Sequence, residues 1–124
     1  MVGFLVIFSV DISRLATFYG ALMDVDPVAN DDDSIRVVNE DTDLLIVRIP
    51  DSIASTIDIK VPPIGREEVA IKPSFEVASI QTALKRVESH GGVATDRAFR
   101  NSTFEFLDIL DVEGNVVQIR CCVA

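Results

Sequence analysis

Between Phe104 and Cys122 the chain holds two β-rich runs parted by a short group of turn-forming residues. Phe104 to Leu110 forms the first run and Asn115 to Cys122 the second, with Asp111, Val112, Glu113 and Gly114 leading across. Gly114 and Asn115 tolerate a positive φ, so a tight connection has a mechanism and the two runs are predicted to pair as a hairpin. A hairpin of this kind closes a sheet but does not say which sheet. That depends on what lies upstream.

Near the N-terminus a strand is predicted over Phe4 to Val10, running into Asp11. Asp11 can cap the following helix, or Ser13 if the helix starts later. Ile12, Leu15, Phe18 (or Tyr19) and Leu22 then recur at helical spacing. The helix should stop between Met23 and Asp26, because the residue before Pro27 disfavours the α region. Asp31, Asp32 and Asp33 read as a solvated turn, since their spacing lacks the alternating ligands and terminal Glu of a calcium loop. Strands are expected at Ser34 to Asn39, Leu44 to Ile49 and Ala54 to Lys60, and Pro62, Pro63 and Gly65 form a linker.

The second half begins again with a strand, Val69 to Val77, locally kinked or at an edge because of Pro73. Helix two is expected over Ala78 to His90, burying Ile80, Leu84 and Val87 and stopping at Gly91–Gly92. A strand at Val93 to Ala98 and the hairpin complete it. Both halves thus follow the order βαβββ. The two halves share negligible sequence identity, so the repeat is one of architecture.

Strand, "VDISRLATFYGALMDV", β-rich middle, second strand and helix, then "FLDILDVEGNVVQI" resembles the glyoxalase/bleomycin-resistance/dioxygenase (vicinal oxygen chelate) superfamily over nearly the whole chain. The Asp11-led helix with Phe18–Tyr19 and the closing Asp111-x-x-Gly114-Asn115 hairpin carry the likeness. It implies an α+β fold of two βαβββ modules, at residues 1–61 and 67–124 of a single domain. Their strands would form a curled mixed sheet, a cup, with the helices on its convex side. The resemblance also implies a homodimer and a small organic molecule as ligand.

Bulk properties exclude several other classes. The chain has 124 residues, enough for one compact domain with a core. No apolar run approaches the roughly 18–20 residues that span a bilayer, which speaks against a membrane partner. The apolar start, Met1 to Val10, lacks a basic flank and a small-residue cleavage site, and reads as a strand. Formal charge is −9, which opposes binding to nucleic acid and agrees with simple solubility. Cys121 and Cys122 are adjacent and cannot staple distant segments, so a reduced, cytoplasmic chain is expected.

Metal-dependent members of the family place a His or Glu on the first strand of each module and a carboxylate on the last. A divalent ion needs three or four N or O donors converging at about 2.0–2.3 Å. The matching positions are Phe4, Lys72, Gln118 and either Ile46 or Val47. Phenylalanine and aliphatic side chains cannot donate, an ammonium repels the ion, and glutamine is a weak neutral donor. His90, the chain's one histidine, sits at the end of helix two, where it suits the helix dipole. No metal and no other cofactor are therefore expected.

Period-two alternation puts Phe4, Val6 and Phe8 on one strand face, Lys72, Ser74 and Glu76 on another, and Val116, Gln118 and Arg120 on a third. The resemblance makes these cup-facing. Phe4, Phe8, Lys72, Glu76 and Gln118 are then the candidate ligand-binding residues, an apolar wall with a few orienting polar groups. Each also has an ordinary structural role: core packing for the phenylalanines, solvent contact for Lys72, a backbone partner for Gln118. No nucleophile–base pair stands out, and no catalytic residue is assigned. Three functions remain: ligand binding or sequestration, an enzyme (lyase, isomerase or dioxygenase) with a site built from other residues, and a non-catalytic interaction module. Missing ligands and the acidic chain favour the first.

Overall fold

The computed structural model describes residues 4–66 and 69–123; Met1 to Gly3 of the apolar start, and the first two residues of the expected second module, lie outside them. The chain forms two compact units, Met1–Asp58 and Ile59–Ala124. Each holds one four-stranded mixed sheet, neither closed, and the whole is an α+β fold of two modules.

In the first unit β1 (Leu5–Ser9) is followed by α1 (Ile12–Met23), β2 (Val28–Asp31), β3 (Ser34–Val38), β4 (Asp43–Arg48) and a short α2 (Asp51–Ala54). Asp11 caps α1, as expected: its extended backbone lets the carboxylate accept from Arg14 N–H at 3.1 Å. Ile12, Leu15, Phe18, Tyr19 and Leu22 form the buried stripe. Asp24 ends the helix in the left-handed region at φ 58°. The chain then folds back so closely that Val25 N–H donates to the Gly20 carbonyl at 2.9 Å. A Cβ on Gly20 would meet Pro27 at 2.9 Å, which is why glycine stands there.

Strand order is β1-β4-β3-β2, with β1 parallel to β4 and the other pairs antiparallel. The register sorts residues by face. Leu44, Ile46 and Val37 are fully buried beneath α1, which packs on β3 and β4. Burying each such side chain stabilises by about 1.5–3 kcal/mol. Phe4, Val6, Phe8 and Val47 lie on the opposite, helix-free face, because Val6 pairs with Leu45 and Phe8 with Val47.

Two expectations fail in this unit. The strand at Ala54 to Lys60 does not form; Pro50 starts the single turn α2, and the following chain joins no ladder. A strand absent from the expectation, β2, takes its place in the βαβββ order. Its end carries the acidic turn: Asp31 Oδ1 accepts from Asp33 N–H and from Ser34 Oγ, both at 2.8 Å. The backbone bond, then the hydroxyl, holds this carboxyl below its ordinary range.

The second unit runs β5 (Ser74–Glu76), α3 (Ile80–Ser89), β6 (Val93–Arg100), β7 (Phe104–Leu110) and β8 (Val116–Cys122), in sheet order β5-β8-β7-β6. The expected strand from Val69 shrinks to three residues. Pro73 has no N–H to give a ladder, although its carbonyl still accepts from Gln118 N–H at 2.8 Å. Ser79 caps α3 through Thr82 N–H, and the helix is shorter than the expected span from Ala78 to His90. Ala83 and Val87 are its buried residues, while Ile80 and Leu84 are only half-buried, a correction to the expected face.

Candidate functional site

Two strand pairings place the polar residues of the second unit. β5 runs parallel to β8, with Ser74 opposite Gln118 and Glu76 opposite Arg120. β7 runs antiparallel to β8, with Phe106 opposite Arg120 and Asp108 opposite Gln118. Phe75 and Ile119, on the alternate positions, are buried on the face where α3 packs. Ser74, Glu76, Phe104, Phe106, Asp108, Gln118 and Arg120 therefore share the helix-free face.

This face is aromatic at one end and charged in the middle. Phe99 stacks on Phe106 with centroids 4.6 Å apart and planes at 16°, and Phe104 tilts against Phe106 at 5.9 Å. The Arg120 guanidinium carbon lies 4.9 Å from the Phe104 centroid, a cation–π contact. Ser74 Oγ donates to Gln118 Oε1 at 2.8 Å. Lys72, just before β5, reaches Asp108 Oδ2 at 3.0 Å. Asp108 is 2 % exposed, and neither its Oδ1 nor Arg120 Nε has a hydrogen-bond partner among the described residues. Leaving a buried polar group unpaired costs about 1–3 kcal/mol, so both atoms call for a reason.

The sequence-derived candidates divide by unit. Phe4 and Phe8 sit on the helix-free face of the first sheet, 63 % and 61 % exposed, and so are not core residues. Glu76 and Gln118 share the helix-free face of the second sheet. Lys72 lies outside the strand, with its ammonium held by Asp108. Asp108 itself went unassigned in the sequence. Its signal was the even spacing that puts it on one face with Phe104 and Phe106, but the partner comes from 36 residues upstream, and only the β5–β8 register reveals it.

The matching metal positions do not fit a divalent ion. Of the two candidates on β4, Ile46 is buried beneath α1, so the position facing away from the helix is Val47. The cross-strand neighbours of Gln118 are Ser74 and Asp108, and the Lys72 ammonium already engages that carboxylate. Among the described residues no three His, Cys, Asp or Glu side chains cluster.

Comparison with known proteins rests on the fold. No sequence-family model matches the chain, and no curated protein matches it in sequence. Solved structures match it in fold. A glyoxalase/bleomycin resistance protein from Albidiferax ferrireducens T118 superposes with a TM-score of 0.72, at 13% identity over 99% of each chain. This chain has the glyoxalase/bleomycin-resistance/dioxygenase fold. A glyoxalase/bleomycin resistance protein/dioxygenase family enzyme from Burkholderia phytofirmans PsJN gives 0.71 at 14% identity, covering 97% of both chains. The fosfomycin resistance protein FosX from Mesorhizobium loti gives 0.68 at 10% identity, over 99% of this chain and 92% of its own. The fold expected from the helix entry and the closing hairpin is thus the fold found. Among the described residues no helix is long and apolar enough to cross a membrane.

Proposed function

We propose that this protein binds a small organic molecule on the helix-free face of a sheet and does so without a divalent ion. The observation that carries the reading is the make-up of the second sheet's face: three phenylalanines beside Lys72, Asp108, Ser74, Gln118 and Arg120. Apolar walls with a few placed polar groups are what organic-ligand sites are made of. On the second sheet Glu76 and Gln118 are orienting groups, and the first sheet carries an apolar strip of its own, Phe4, Val6 and Phe8. Binding or sequestration, the role suggested by the bleomycin-resistance likeness, needs nothing more. Cys121 and Cys122 are unpaired, which favours a cytoplasmic location.

Metal content tests this directly. The purified protein is expected to hold no stoichiometric zinc, nickel, iron or manganese by inductively coupled plasma analysis, and chelators should leave its melting temperature unchanged. One bound ion per chain would replace this reading with that of a lyase, isomerase or dioxygenase. Ligand contact is tested with Phe8→Ala and Phe106→Ala. A molecule found by screening should lose about 1–3 kcal/mol of binding free energy in at least one of them, the worth of a buried aromatic contact.

The proposal includes a homodimer. β2 is an edge strand with all four residues exposed, and such edges are normally covered. Light scattering at micromolar concentration is expected to give twice the chain mass of 13.6 kDa. A value at the single-chain mass that does not move with concentration would refute it.

A further inference from the structure

Asp108 and Lys72 form an unequal pair. The carboxylate side chain is 3 % exposed and the lysine side chain 36 %. A carboxylate offers about four acceptor sites, yet Lys72 engages only Oδ2 of Asp108, and Oδ1 has no partner among the described residues. The ammonium is a point charge on a flexible stem that is partly exposed, so it can move aside when another cation takes its place. The carboxylate cannot.

We propose that Asp108 is the recognition carboxylate for a cationic ligand with two parallel N–H donors, an amidinium or guanidinium, and that Lys72 holds its place until the ligand displaces it. This rests on the reading that the face binds a small molecule. A planar fork satisfies both oxygens at once, where the lysine satisfies one. Exchange of one cation for another leaves the charge balance of Lys72, Arg120, Asp108 and Glu76 unchanged, whereas an anion would have to settle beside a buried carboxylate. The aromatic end suits the ligand's body: Phe106 is two residues from Asp108 on the same face, and the Arg120 guanidinium already rests on Phe104. Arg120 Nε, the other buried atom without a partner among the described residues, is a donor awaiting an acceptor on the same ligand. The net charge of −9 draws cations toward the chain.

Benzamidine, its neutral analogue benzamide and the anion benzoate separate the possibilities in amide-shift titrations by NMR. Benzamidine is expected to move amides of β7 and β8 and to bind about tenfold or more tightly than benzamide. Asp108→Asn should lose about tenfold or more, and Lys72→Met should gain about threefold to tenfold, because the competitor is gone. Asp108→Asn binding as well as the parent would mean that the buried oxygen is served by an ordered water only, and would overturn the proposal. So would weaker benzamidine binding in Lys72→Met, which carries the test alone if Asp108→Asn does not fold. Benzoate or benzamide bound more tightly than benzamidine at these strands would sink the cationic ligand and leave small-molecule binding standing. If none of the three moves an amide of β5, β7 or β8, both readings fail at this face.

Discussion

Phe18→Ala is expected to cost about 3–5 kcal/mol of folding stability, the range for removing a large aromatic side chain from a packed core. Phe18 is 1 % exposed, and its ring meets the fully buried Tyr19 edge-on at 5.1 Å and 87°. The pair stands on the face of α1 that covers β3 and β4, so truncation leaves a void between helix and sheet that rigid neighbours cannot fill. Domains of this size have about 5–15 kcal/mol in total, so the variant would lose a large share of its stability. Phe18→Leu, which keeps most of the volume, should cost less than half as much. Urea denaturation of the three proteins decides it. A loss below about 1 kcal/mol for Phe18→Ala would show that the core relaxes into the space, and that α1 is not held as described.

The parts of the fold that could be read from the sequence are those whose signals are local. Asp11, followed by apolar residues at helical spacing, marks α1 because both cap and stripe lie within one helix length. Gly114 with Asn115 marks the β7–β8 hairpin for the same reason. The two errors in the first unit share a cause. Val28, Ala29, Asn30 and Asp31 carry no alternation and are all exposed, so nothing in their chemistry announces a strand; β2 exists because β3 offers it a ladder. Ala54 to Lys60 does alternate, and Ile57 and Ile59 are indeed half-buried, but no strand pairs with it. Alternation reports which side chains are shielded, and a ladder needs a neighbour.

The candidate site follows the same division. Face assignments for Phe4, Phe8, Glu76 and Gln118 rest on period two within a strand, which the sequence displays. The Lys72–Asp108 pair and the Ser74–Gln118 bond depend on parallel pairing between segments some 40 residues apart, whose register no local pattern sets. The polar centre of the face was therefore the part hidden from sequence reading, although each residue in it was in plain view.

Gly114→Ala is expected to destabilise by about 2–4 kcal/mol, more than its single methyl group suggests. Gly114 has φ +82°, where an L-residue pays about 1–2 kcal/mol. The remainder comes from a collision, since a Cβ at this position would run into the backbone carbonyl oxygen of Ile64. That segment cannot simply swing away, because Arg66 N–H donates to the Gly114 carbonyl at 3.0 Å. Asp111 braces the same turn: Oδ1 accepts from the backbone N–H of Glu113 at 2.9 Å and of Asn115 at 3.0 Å, and Oδ2 from Asn115 Nδ2 at 2.8 Å. The loop thus has little freedom to absorb the strain. Gly114→Asn separates the two causes, since asparagine tolerates the left-handed region but brings the same Cβ. Thermal melts should place it near Gly114→Ala, and the Arg66 amide should lose protection from hydrogen exchange in both. Recovery of most of the stability by asparagine would mean that backbone conformation alone requires glycine there, and that the contact with Ile64 yields.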